Sequence, residues 1–282
     1  MTVTRLRLAL LVLLLAGATK AADAPPLRVS MIPTTDPSKM LRDSEPLVAR
    51  LEKATGRKVK LTIPQNYAAV VEAMVQGQLD LAHFGGFTFV QANKRAGAVP
   101  LVQRERDRAF HSKFITARDD VKSLADLKGK RFAFGDVNST SGHLMPAYFM
   151  RKEGVDPGVI DGAIYTGAHD ATALAVAEKR VDAGALDEAV WDRLVKEGKI
   201  DASKVRVFWT TPAFVDYAWA ARKDLELEIQ KKLAQAFLTL DPASAEDKKV
   251  LDLLSATGKY VAVDVAAYAP LREAAIREGL LR

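Results

Sequence analysis

The chain contains no cysteine. That excludes disulfides, thiolate metal sites, thiol redox chemistry and cysteine nucleophiles, so the folded part must be held by its apolar core. It also excludes the lipid-modified cysteine that tethers many exported proteins. There is no run of like charge and no basic stretch interleaved with aromatics, which make up only 7% of residues. Nothing in the composition is therefore built to grip nucleic acid or another polyanion. No Gly-x-Ser-x-Gly elbow, His-Glu-x-x-His pair or Walker loop is present, which removes the common motifs of hydrolases and nucleotide enzymes. Long apolar runs are scarce too, and the single one lies at the start.

That run has the layout of a secretory signal peptide. Arg5 and Arg7 supply a positive start, Leu8 to Ala18 an apolar stretch, and Thr19 to Ala22 a region of small residues for cleavage. A membrane anchor is the competing reading, but the stretch falls short of the roughly 20 residues a spanning helix needs. Residues 1–21 are read as the leader, and the mature chain is expected free in the periplasm. The net charge of +6 then shrinks: without Arg5, Arg7 and Lys20, 41 basic residues become 38 against 35 acidic ones, or +3. About 260 residues remain, enough for one large domain or two modest lobes.

Short apolar segments such as Leu27–Ile32, Val59–Ile63, Leu79–Phe84, Arg131–Asp136 and Val181–Leu186 alternate with amphipathic stretches such as Asp36–Thr55, Tyr67–Gln76, Gly142–Glu153 and His169–Lys179. That alternation predicts an α/β fold with largely parallel sheets. It also contains an echo. Tyr67 opens a helical stretch and Asp80 precedes the next strand; His169 and Asp182 repeat this with the same 13-residue offset. Any two αβ units resemble one another, yet the matching Asp favours two similar lobes and hence a cleft. Ligands of such folds sit beyond the carboxyl ends of the strands, where loops meet helix starts.

The strongest local signal is Asp136-Val137-Asn138-Ser139-Thr140-Ser141-Gly142-His143, between a predicted strand and a predicted helix. A helix start offers unpaired N–H groups and a positive dipole end, Ser139, Thr140 and Ser141 add hydroxyl donors, and Gly142 allows close backbone approach. The same residues would equally serve as an ordinary N-cap, and the chemistry alone leaves both open. His169 and Tyr67, each at a helix start, would add donors. Asp187, Glu188 and Asp216 fall at strand ends; an acid beside a bound anion selects a protonated oxyanion or a cationic tail. Two rival readings carry less. Ser139, His169 and Asp187 have no spacing that marks a triad, and His83, His111, His143 and His169 include no pair at helical ligand spacing.

These residues carry a resemblance. Gly77 to Gly86, Ser123 to Lys130, Asn138-Ser139-Thr140-Ser141-Gly142 and His169-Asp170-Ala171-Thr172 resemble the phosphonate, phosphite and phosphate class of ABC-transporter substrate-binding proteins, over essentially the whole mature chain. A narrower subgroup, labelled as selenate-binding, is similar at Phe84 to Ala92, Ser112 to Ala117, Gly142 to Pro146 and Thr166 to Thr172. The resemblance implies a two-lobed periplasmic (type II) fold with a two-stranded hinge, lobe 1 being residues 22–112 plus 218–282 and lobe 2 residues 113–217. It implies a monomer that captures a small oxyanion and delivers it to a membrane permease, with no catalysis, cofactor or metal. The alternative ligand is selenate or a sulfate-like ion. By resemblance the cradle is Ser139, Thr140, Ser141 and His169, with Tyr67 from the first lobe and Glu188 and Asp216 as acids. The chain departs from the pattern at His83-Phe84-Gly85 and at Phe110-His111, where a tyrosine hydroxyl would be expected.

Overall fold

The structure, a computed structural model, describes residues 24–160 and 162–281, so the expected leader lies outside the described residues. The chain begins β1 (Leu27–Met31), α1 (Pro37–Asp43), α2 (Glu45–Thr55), β2 (Val59–Thr62), α3 (Tyr67–Val75), β3 (Leu81–Phe84), α4 (Gly86–Ala96) and β4 (Val99–Arg104). It then crosses to β5 (Ser112–Thr116), β6 (Phe132–Phe134), α5 (Met145–Lys152), β7 (Ile164–Tyr165), α6 (His169–Ala177), β8 (Ala183–Asp187), α7 (Glu188–Lys196) and β9 (Arg206–Thr210). It returns as β10 (Ala218–Ala221), α8 (Leu227–Leu238), α9 (Ala245–Leu253), β11 (Tyr260–Ala262) and α10 (Ala269–Arg277).

Two sheets result, ordered β11-β4-β10-β3-β1-β2 and β7-β6-β8-β5-β9, one in each α/β lobe. Each has three parallel strands, β2-β1-β3 and β7-β6-β8, followed by an antiparallel strand that enters directly from a crossing, β10 or β5. Burial explains the strand sequences. Central β3, β8 and β10 are buried at every residue and are apolar apart from His83 and Asp187, whereas edge strand β2 alternates. Helices cover the faces through one stripe, as in α2, which buries Leu47, Leu51 and Thr55. One apolar cluster continues from Val70, Phe87 and Phe89 to Leu144, Met145 and Phe149 of the other lobe, so the lobes are packed together in a closed arrangement.

The echo has a structural meaning. Asp80 accepts the Arg28 N–H at 2.8 Å and an Arg28 side-chain N–H at 2.8 Å. Asp182 accepts the Arg131 N–H at 2.9 Å and an Arg118 N–H at 3.2 Å. Each carboxylate thus ties the start of one parallel strand to its neighbour. Gly77 and Lys179, just past α3 and α6, share a left-handed backbone, φ 67° and 59°.

Some expectations are corrected. The stretch Asp36–Thr55 breaks at Ser44, because Pro46 in the first turn of α2 has no N–H to donate to the Arg42 carbonyl and cannot continue α1. The stretch from Gly142 begins instead as a π-helical turn at Thr140–Leu144, with α5 following; Pro146 falls in α5's first turn, where no N–H is needed. The two crossings run side by side. Phe110 and Phe214 exchange backbone hydrogen bonds of 2.8 and 3.0 Å, and Asp216 N–H donates to Asp107 O at 2.9 Å.

Candidate ligand-binding site

The carboxyl ends of β1, β3, β6 and β8 face one another across the interface between the lobes, and the helix starts converge there. After β6 the chain turns so tightly that the Gly135 N–H donates to Gly142 O at 2.8 Å. A Cβ on Gly142 would meet Ser139 Oγ at 2.9 Å, His169 Cε1 at 3.0 Å and Gly135 Cα at 3.1 Å, so only glycine fits. Ser139 does cap the turn, accepting the Gly142 N–H at 2.9 Å. Thr140 is not used in that way: its Oγ1 accepts the Phe87 N–H of the opposite lobe at 2.9 Å. Ser139, Thr140 and Ser141 are all buried.

Tyr67 and His169, at the starts of the two echoing helices α3 and α6, meet across the cleft with Oη and Nε2 3.4 Å apart. The Asp187 N–H donates to His169 Nδ1 at 3.3 Å, which leaves the ring proton on Nε2, facing the cleft. Burial keeps His169 below its ordinary pKa against the pull of Asp187, so the ring is a neutral donor. Burial, with Asp136, Asp187 and Asp216 nearby, raises Tyr67 well above the usual phenol value, so it too is a neutral hydroxyl. Two more bonds cross the cleft: Tyr67 N–H to Asp136 Oδ2 at 3.3 Å and His169 N–H to Thr34 O at 3.1 Å.

The acids divide. Asp216 is buried at the end of the second crossing and accepts the Gly86 N–H on Oδ1 at 2.8 Å, while Oδ2 has no protein partner. Burial, reinforced by Asp107 and Asp187 and only partly offset by the Gly86 N–H, pushes its carboxyl up to about 8. It is a neutral acid at pH 7. Glu188 does not join this group; it opens α7 facing Arg106 of the first crossing, 3.5 Å away. Its neighbour Asp187 takes the inward position, accepting the Tyr217 hydroxyl on Oδ2 at 2.7 Å. Burial opposes charge on Asp187, but His169, Arg104 and the Tyr217 bond outweigh it and hold the carboxylate below the ordinary range.

The structure therefore brings together Tyr67, Ser139, Thr140, Ser141, His169 and Asp216, and leaves Glu188 at the hinge. Tyr217 and the Phe87 N–H were not legible as site groups. Tyr217 reads as the first residue of a strand; its place beside Asp216 at a crossing is the signal that it faces the cleft. The four histidines sit apart in function: His111 Nδ1 bonds Thr211 O, His143 bonds Val137 O and Tyr165, and His83 stacks on Tyr217. Among the described residues, no group of three His, Asp or Glu side chains is gathered to hold a metal ion.

What this arrangement can do is surround a small anion with hydroxyls, a ring N–H and a neutral carboxyl, with water excluded. The family described as "ABC transporter, phosphonate, periplasmic substrate-binding protein" matches residues 29–268. The chain belongs to this family. It is 33% identical over 261 residues to the "Probable ABC transporter phosphite binding protein PhnD1" of Prochlorococcus marinus, covering 88% of each chain. It is 32% identical to the "Phosphate-import protein PhnD" of Mycolicibacterium smegmatis, over 80% of this chain and 78% of that one. Among solved structures, that of Prochlorococcus marinus PhnD1 in complex with methylphosphonate matches with a TM-score of 0.84 at 32% identity, covering 90% of this chain and 98% of that one. As a phosphonate-type substrate-binding protein, the chain is the periplasmic, ligand-capturing component of an ABC importer.

Proposed function

We propose that this binding protein captures a small tetrahedral oxyanion of phosphorus (phosphonate, phosphite or phosphate) and hands it, enclosed, to a membrane permease. Ser139, Thr140 and Ser141 form the cradle, His169 Nε2–H and the Tyr67 hydroxyl donate from the two helix starts, and Asp216 completes it. The observation that carries this reading is the convergence of those groups, all buried, from both lobes on one point between the sheets. Closure removes water, so each hydrogen bond to the anion acts in a low dielectric. Phosphorus oxyanions are favoured over selenate or sulfate because Asp216 faces the cradle with Oδ2 free of protein partners: a monoprotonated ligand can donate to this acid when it ionises, whereas a fully ionised one is only repelled by it. The lobes that close are residues 22–112 with 218–282 and residues 113–217, moving about the paired crossings. The mature protein works by binding alone, as an unanchored monomer released after cleavage near Ala21.

The test is the double variant Thr140→Ala, Ser141→Ala. It should lose more than about 2 kcal/mol of affinity for its oxyanion, because hydrogen bonds to charged groups contribute about 1.5–3 kcal/mol each. Unchanged affinity by calorimetry in a folded double variant would remove the cradle assignment.

A further inference from the structure

The three hydroxyls of the cradle sit on a backbone that is not α-helical. Ser139 O accepts the Leu144 N–H at 3.0 Å, five residues along the chain, and Thr140 O accepts the Met145 N–H. Such π-turns are rare and concentrate at functional sites. Relaxing to α-helical pairing would shift the register by one residue and swing the hydroxyls by about 100° around the axis. A side-chain brace across the loop opposes that relaxation. His143 lies two residues beyond Ser141, and its Nδ1 is 2.7 Å from the carbonyl oxygen of Val137, two residues before Ser139. A carbonyl can only accept, so the ring proton is on Nδ1 and the lone pair on Nε2. That lone pair takes the Tyr165 hydroxyl at 3.0 Å. The buried ring meets Phe134 of β6 and Tyr165 of β7 edge-on, with centroids 5.2 and 4.9 Å apart. Burial holds His143 below its ordinary pKa against the Val137 carbonyl, Glu278 of α10 and Asp136 of the loop, so the imidazole is neutral at pH 7.

We infer that His143 is a positioning residue for oxyanion binding: by bridging Val137 and Tyr165 it braces the π-turn and so aims Ser139, Thr140 and Ser141. The inference rests on the oxyanion reading of the cradle. His143 acts through the hydroxyls, not on the ligand. It differs in this from His169, whose proton is on Nε2 and faces the cleft; the two histidines hold opposite tautomers. A ring that merely filled space would need neither nitrogen.

The experiment compares His143→Asn with His143→Gln. The Asn amide puts its N–H where Nδ1 stands and keeps a donor for Val137 O. The Gln amide reaches the Nε2 position and loses that donor. In calorimetric titration with methylphosphonate, His143→Gln should bind about tenfold more weakly than the parent and His143→Asn about threefold, as the loss of one net hydrogen bond implies. Nitrogen NMR of the ligand-stripped parent reads the brace directly. His143 should show a protonated Nδ1 and a bare Nε2, and Tyr165→Phe should convert that to a mixture of tautomers. Equal losses in the two His143 variants, or the larger loss in His143→Asn, would overturn the inference and leave the cradle intact. A proton on Nε2 of His143 in the parent would overturn it whether or not the variants fold. Binding of none of methylphosphonate, phosphite and phosphate by the parent would remove both the cradle reading and the role built on it.

Discussion

Replacing Asp216 by Asn asks whether the site holds a carboxyl in its neutral form. The exchange keeps the oxygen that accepts the Gly86 N–H and nearly the same volume, and it removes the possibility of charge. In the native protein burial carries this group from an ordinary 3.8 to about 8. Between those values the folded state retains a proton that the unfolded chain has released. Stability from this group is therefore full below the unfolded value and is lost as pH rises toward the folded one, at about 1.4 kcal/mol per pH unit. From pH 5 to pH 8 the ceiling on that loss is about 4 kcal/mol. Parting of the lobes limits it, because an open cleft lets water reach Asp216 without global unfolding, so about 2 kcal/mol is the realistic expectation. Asn carries no such pH dependence. Urea unfolding of both proteins at pH 5, 6.5 and 8 should show the variant gaining on the parent by that amount as pH rises. A difference constant across the three pH values would refute the reasoning, since an ionised Asp216 with a hydrated environment would behave in that way.

Two further substitutions follow from backbone geometry. Gly142→Ala should cost about 1–3 kcal/mol of stability in thermal melts and abolish oxyanion binding, because its Cβ meets Gly135 Cα at 3.1 Å and His169 at 3.0 Å. Lys179→Gly should stabilise the protein by about 0.5–1 kcal/mol in urea unfolding, since Lys179 holds the left-handed φ of 59° that Gly77 supplies at the equivalent place in the other lobe.

Much of the architecture was legible because periodicity and turn chemistry act locally. The alternation of strand and helix, the Asp80 and Asp182 echo and the hydroxyl run at a helix start all reappear as neighbours in space. What stayed hidden depended on partners far along the chain. β4 contains Pro100, which argues against a strand within a sheet; it is tolerated because the register with β10 shifts beside it, between Trp219 and Ala220. β11 is only three residues long, too short for alternation to declare itself. At the junction of β8 and α7 the acid expected inside was Glu188. β8 runs one residue further than the expected Leu186, and successive side chains turn to different sides, so Asp187 faces inward and Glu188 pairs with Arg106. Tyr217's role comes from His83, Phe110 and Arg104, none near it in sequence, and local pattern cannot report such a cluster.

The central claim is that groups from both lobes enclose a phosphorus oxyanion. Its most direct test is calorimetric titration of the ligand-stripped mature protein with methylphosphonate, phosphite, phosphate, selenate and sulfate. The account predicts micromolar or tighter binding of at least one phosphorus oxyanion, with selenate and sulfate weaker. Absence of binding by all three phosphorus ligands, or tighter binding of selenate or sulfate, would contradict it.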